Sequence, residues 1–182
     1  MSRPPRSTDD ELLDRIDAAL AQRASTEPWG LADIAPAAGI SAAGLVKRFG
    51  SKERLLHALT RRWLNNVPSA PVGPLPPLDE LRAYARGNFA TASSSAAISG
   101  LGELMRDLWS PEGAALLREG WNRQAHYFES LLGQLPLRAG LELRVAALTL
   151  LDSLHGSLYR QAVSLDPTSP EDIIDNLVKE WT

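Results

Sequence analysis

The chain has 182 residues, 44% of them hydrophobic and 23% charged, with a formal net charge of −3 and no cysteine. That balance belongs to a globular chain long enough for one large core or two smaller ones, and it excludes a disordered chain, a collagen-like repeat and a disulfide scaffold. Without cysteine there is no thiol nucleophile, no redox motif and no Cys-based zinc site. The apolar runs are too short to cross a bilayer, and acidic Asp9, Asp10 and Glu11 stand where a signal peptide needs its apolar segment. The expectation is a cytoplasmic protein with no membrane partner.

The first helix is predicted over 10–23, where Leu12, Leu13, Ile16, Ala19 and Leu20 recur at helical spacing behind the acidic turn. A short second helix runs from Leu31 to Ala38, with Gly39 as its left-handed stop. Ser41 caps a third helix through Phe49, and Ser51 caps a fourth that carries Leu55, Leu56, Leu59 and Trp63. Five prolines within 68–77 remove so many backbone donors that a stiff linker is predicted, dividing residues 1–66 from residues 67–182.

Beyond the linker, Leu78, Leu81, Ala85 and Phe89 form one apolar stripe and Ile98, Leu101, Leu104, Met105 and Leu108 another. Ser110, Pro111 and Glu112 open a helix leading to Leu117, Trp121, Phe128, Leu131 and Leu132. The longest helix is predicted over 141–165, stopped by Asp166 and Pro167. Ser169 and Pro170 open the last, with Ile173, Ile174, Leu177, Val178 and Trp181 on one side. No segment alternates as a strand would, so the fold class is all-α: an N-terminal three-helix module with a helix-turn-helix, joined to a larger C-terminal bundle.

Charge is unevenly spread. Residues 1–66 hold ten Lys/Arg against eight Asp/Glu, and residues 67–182 nine against fourteen. Lys47, Arg48, Lys52, Arg54, Arg61 and Arg62 lie close together with only Glu53 among them, either a face for a polyanion or a solvated helix surface. The two short helices around Gly39 decide between these. Ile34, Ala35, Ile40, Leu45 and Phe49 supply the apolar positions that lock two helices across a tight turn, the spacing of a helix-turn-helix whose second helix enters a DNA major groove. Ala42, Ala43 and Gly44 are small enough for close approach to base edges. Lys47, Arg48 and Lys52 are long cations suited to flanking phosphates.

The set Ile34, Ala35, Ala38, Gly39, Ile40, Ser41, Leu45, Arg48, Phe49, Ser51, Lys52, Glu53, Leu55 and Leu56 resembles the DNA-binding signature of the tetracycline-repressor (TetR) family. The likeness covers about residues 10–60; beyond the linker only helix content and length agree. It implies a homodimer on a double-stranded DNA operator, paired through the last two helices, whose C-terminal bundle takes a small-molecule effector that re-spaces the DNA-reading heads. It also implies that Lys52 is the family's phosphate-contacting lysine. The DNA-binding set is therefore Ser41, Ala42, Ala43, Gly44, Val46, Lys47, Arg48 and Lys52. Five residues depart from the pattern: Pro36 lies inside the second helix, Trp29 and Gly30 stand where a threonine is frequent, Val46 replaces a tyrosine, and Gly44 a threonine or serine. Base readout then leans on Lys47, Arg48 and apolar contacts such as thymine methyls. Arg3 and Arg6 form a basic arm, either a minor-groove contact or a plain tail.

In the bundle, Ala147, Leu150, Leu151, Leu154 and Leu158 make a core face, and Leu148, Asp152, His155 and Tyr159 a second stripe beside it. Three polar groups against an apolar wall fit a ligand pocket, or equally a dimer interface or a core network. Ser153, Gly156 and Ser157 on the third face suit close packing with a partner helix and the Ile173–Trp181 stripe, or else a monomeric bundle with the same core. Met105, Trp109, Trp121, Tyr127 and Phe128 line a cavity or simply fill the core. The ligand-binding set is Met105, Trp109, Trp121, Phe128, Asp152, His155 and Tyr159. His57, His126 and His155 are too scattered for a metal, and Asp152 with His155 supplies two ligands without a third. No phosphate loop, nucleophile elbow or carboxylate pair is present, so no cofactor and no catalysis are expected. The expected function is a ligand-responsive regulator, a repressor released by a hydrophobic or aromatic effector. The alternative is a small-molecule-binding or protein-interaction module with a degenerate DNA-binding head.

Overall fold

A computed structural model of the chain describes residues 7–23 and 27–182, and the described residues contain helices and no strands. Arg3 and Arg6 lie outside them. The helices are α1 (Asp9–Ala21), α2 (Leu31–Ala38), α3 (Ala42–Phe49), α4 (Lys52–Asn66), α5 (Pro77–Phe89), α6 (Ser94–Trp109), α7 (Pro111–Leu132), α8 (Leu143–Val163) and α9 (Pro170–Trp181). The fold is all-α, as predicted, with a helix-turn-helix head and a larger helical body.

Local chemistry sets most boundaries. Thr8 and Glu11 form a reciprocal capping box at α1, with bonds of 3.0 and 3.2 Å. Ser41, Ser51, Ser93, Ser110 and Ser169 cap their helices through side-chain oxygens. α2 ends at Gly39, whose φ of 68° is a conformation that a side chain would disfavour. Pro36 sits inside α2 without breaking it. It and Ala32, whose carbonyl loses the usual helical donor, both lie on the solvent face, where water supplies the missing bond.

The core forms two clusters. In the head, Leu12, Leu13 and Ile16 of α1 meet Ile34, Ala35 and Ala38 of α2, Leu45 of α3 and Leu55 and Leu56 of α4. In the body, Leu81, Ala85 and Phe89 of α5 pack with Phe128, Leu131 and Leu132 of α7, Leu150, Leu151 and Leu154 of α8, and Ile174, Val178 and Trp181 of α9. Gln161 ties α8 to the end of α5, accepting from the Thr91 amide and hydroxyl at 2.9 Å and donating to the Phe89 carbonyl at 2.8 Å. The proline-rich segment is held by the buried Glu80, whose carboxylate accepts from the Val72 amide at 2.8 Å and the Tyr127 hydroxyl at 2.7 Å.

Several expectations are corrected. α7, at 22 residues, is longer than α8 at 21. The Ile98 to Leu108 stripe of α6 is not core: Ala97 is the one buried residue of that helix, and Ile98, Met105 and Leu108 are exposed. The α9 stripe turns Ile174, Val178 and Trp181 into the chain's own core, so it does not wait on a partner helix. Ser157 is likewise buried, donating to the Leu154 carbonyl at 2.7 Å.

Candidate DNA-reading face and the cavity behind it

α3 is anchored by Leu45, which is fully buried in the head core, and this turns Ala43, Val46 and Lys47 outward. Ser41 is also exposed, but its oxygen is committed to the Gly44 amide at 3.1 Å. Ala42 and Gly44 are only half exposed. A Cβ on Gly44 would meet the Ile40 side chain at 3.6 Å and Ser41 Oγ at 3.4 Å, ordinary van der Waals contacts, so the turn itself does not require a glycine there.

The basic cluster is largely spent inside the protein. Arg48 pairs with Asp9 and donates to the Ser7 carbonyl at 2.6 Å, clamping α3 to the start of α1. Arg61 pairs with Glu112 at 3.1 Å, and Arg62 with Asp14. Lys52 does not point outward as a phosphate ligand. Its ammonium donates to the Trp29 carbonyl and lies 3.7 Å from the centre of the Trp29 ring, a cation–π contact. Partial burial, with Arg106 nearby, holds its pKa below the ordinary lysine value. Lys47 and Arg54 remain as cations of this cluster with no side-chain hydrogen bond or ion pair to the described residues. The Arg54 side chain lies over Gly50, at the corner between α3 and α4. The sequence places Arg54 in the basic cluster but not in the DNA-binding set; its place after the Gly50–Ser51 corner is the signal that marks it.

Behind this face, α4 crosses α7 with the Trp63 ring laid against Gly120, where a Cβ would stand 2.1 Å from Trp63 Cζ3. α6 also grips the head. Trp29 Nε1 donates to Glu103 at 2.9 Å and the Thr60 hydroxyl to Asp107 at 2.8 Å. Between these contacts lies a cavity of about 430 Å³ bounded by both head and body. Leu20, Trp29, Leu56, Thr60 and Trp63 come from the head side, and Phe89, Leu104, Trp121, Gln124 and His155 from the body. That volume falls within the ~300–1,000 Å³ typical of small-molecule sites. A second groove of about 510 Å³ opens between α6, α7 and α8, and shares Leu104, Trp121 and His155 with the first.

The predicted ligand residues divide accordingly. Trp121 and His155 stand on the cavity wall, their rings 5.2 Å apart and edge-on. Burial lowers the His155 pKa below its ordinary value, while the bond to the Leu151 carbonyl and nearby Asp152 oppose this. Met105, Asp152 and Tyr159 line the outer groove instead. Two positions are corrected. Trp109 is 85% exposed and lines neither space. Phe128 is wholly buried in the core, edge-on to Tyr84 at 5.6 Å. Tyr127 is core as well, and burial and the Glu80 bond push its pKa up. Most of the cavity lining is missing from the predicted set, Trp63 and Gln124 included; Gln124 follows Trp121 by one helical turn, but nothing local marks it. Among the described residues no group of acidic, His or Cys side chains could hold a metal ion, and no helix is long and apolar enough to cross a membrane.

Comparison with known proteins agrees with this architecture. Residues 17–59 match the family model for bacterial regulatory proteins of the tetR family. No curated protein matches the chain. Among solved structures, a transcriptional regulator from Rhodococcus sp. Rha1 is similar at 18% identity and a TM-score of 0.68, over 96% of both chains. SmeT, the repressor of the Stenotrophomonas maltophilia multidrug efflux pump SmeDEF, is similar at 18% identity and 0.59, over 97% of this chain and 91% of its own. AibR, in complex with isovaleryl coenzyme A and operator DNA, is similar at 19% identity and 0.53, over 94% of this chain and 96% of its own. Residues 17–59 thus match the tetR-family model for the DNA-binding head, and the chain as a whole shares the fold of these solved structures.

Proposed function

We propose that the protein is a ligand-responsive transcriptional repressor in the cytoplasm, bound to its operator as a homodimer and released when a small hydrophobic or aromatic effector fills the junction cavity. One observation carries this: the cavity has one wall on the DNA-reading head and the other on the body. A ligand there has different contacts in any two arrangements of head and body, which is the condition for shifting a population between them. Ala43, Val46 and Lys47 form the groove-facing surface of α3, with Arg54 on flanking phosphate. Pairing of two chains through α8 and α9 uses the outward side chains Val145, Leu148, Tyr159 and Val163 of α8, and sets the heads about 34–36 Å apart. The protein acts by binding, not catalysis.

The test is an anisotropy titration of the DNA upstream of the protein's own gene at several salt concentrations, with a Lys47→Ala/Arg54→Ala double variant beside the native chain. Tight, salt-steep binding that the variant loses supports operator recognition. Equal, weak binding of both to any DNA overturns it. One feature favours a second function, a small-molecule-binding module with a degenerate head: four of the six cations at 47–62 are engaged within the protein. Equal, weak binding is the outcome that function requires.

A further inference from the structure

A residue lining the junction cavity carries an acceptor that receives nothing from the protein. Gln124 is 1% exposed, and its Nε2 donates to the Tyr84 hydroxyl at 3.0 Å. Its Oε1 is buried without a hydrogen-bond partner among the described residues, on a residue of the cavity lining. Buried polar atoms are paired almost without exception, so an unpaired one on a cavity wall marks where an occupant's donor belongs.

Two further features of the wall point the same way. His155 Nδ1 lies 3.0 Å from the Leu151 carbonyl, which places the ring proton there and leaves Nε2 as a second acceptor. The ring is fixed edge-on between Phe89 and Trp121, each at 5.2 Å. The charged side chains on the wall are Asp17, Glu103 and Asp107, and among the described residues no lysine or arginine lines the cavity. Arg106 pairs with Glu103 from outside. An anion entering this space gives up hydration, meets carboxylates and finds no counter-charge.

We propose that the effector is an aromatic or apolar-bodied molecule that gives an N–H or O–H to Gln124 Oε1 and carries no negative charge. This rests on the cavity being the effector site. Four probes of one shape separate the claims: naphthol, methoxynaphthalene, naphthoate and naphthylmethylamine, titrated calorimetrically into the full chain. Naphthol and naphthylmethylamine should bind about tenfold tighter than methoxynaphthalene, the factor of one well-formed buried hydrogen bond, and naphthoate weakest of all. Gln124→Leu should erase the advantage of naphthol while leaving methoxynaphthalene unchanged. Gln124→Met serves the same purpose should the leucine variant not fold. Equal binding of naphthol and methoxynaphthalene to the native chain, or tightest binding of naphthoate, overturns the selectivity and leaves the effector site standing. No binding of any probe overturns both.

Discussion

Replacing Gly120 with alanine tests how head and body are joined. The new Cβ would stand 2.1 Å from Cζ3 and 2.3 Å from Cη2 of Trp63, where carbon atoms ordinarily rest about 3.5–4.0 Å apart. Some 1.5 Å of displacement must be absorbed at the α4–α7 crossing, and overpacking of this kind costs about 1–3 kcal/mol. Against it stands the gain of about 0.5–1 kcal/mol from alanine over glycine inside a helix. A control isolates the steric part: Gly87 of α5 has open space around its Cβ, so Gly87→Ala should show the helical gain alone. Denaturant unfolding should therefore place Gly120→Ala about 1–3 kcal/mol below Gly87→Ala. In a Trp63→Leu background that difference should largely vanish, since the ring that it strikes is gone. Equal stabilities of the two alanine variants in the native background would refute the close crossing. A difference that persists without Trp63 would place its cause elsewhere.

Three further outcomes are expected. Lys47→Ala or Arg54→Ala alone should lower the slope of log affinity against log salt by about 2 per dimer, because each phosphate contact is made twice and is worth about 0.9; an unchanged slope in the anisotropy titration removes that residue from the backbone contacts. Gln161→Leu strands the Thr91 amide and the Phe89 carbonyl and should cost about 1–3 kcal/mol in denaturant unfolding, with a loss under ~0.5 kcal/mol counting against the buried network. His155 has a folded pKa below its ordinary 6.5, so the unfolded chain binds more protons between the two values. Stability should fall as pH drops below about 6.5, and a series of melts should show His155→Gln losing part of that slope; an identical slope would exclude His155 as its source.

Much of the fold is written locally. Gly39 with Ser41, Ser51, Ser110 with Pro111, and Ser169 with Pro170 each mark a helix end by chemistry that acts within four residues, and the structure uses all of them. The stripes of α1, α5 and α8 are core because periodicity alone decides which face is apolar. The candidate site is less legible, since it depends on partners far along the chain. Arg48 looks like a DNA contact until Asp9, 39 residues earlier, is brought against it. Lys52 is drawn to Trp29, which the sequence presents only as a missing threonine. Trp121 and Phe128 are equivalent aromatics on one helix; where α5 and α6 lie makes one a cavity wall and the other core.

α6 buries little of itself for its length. Sixteen residues long, it buries Ala97 alone, and Gly100 and Gly102 face open space. Few apolar contacts and exposed hydrogen bonds put such a segment at the low end of local stability, where its amides exchange with solvent sooner than those of α7 or α8. Under the proposed function, an effector seated against Leu101 and Leu104 would supply the packing that the helix lacks. Part of its binding free energy then goes into ordering α6, and through Trp29–Glu103 and Thr60–Asp107 that order reaches the head. The two glycines set the size of this reserve. Alanine at each would pre-order the helix by about 0.5–1 kcal/mol and leave the ligand correspondingly less to do. Under the proposed function the looseness of α6 would be a dial on effector sensitivity, adjustable at Gly102 without touching either the cavity lining or the DNA-reading helix.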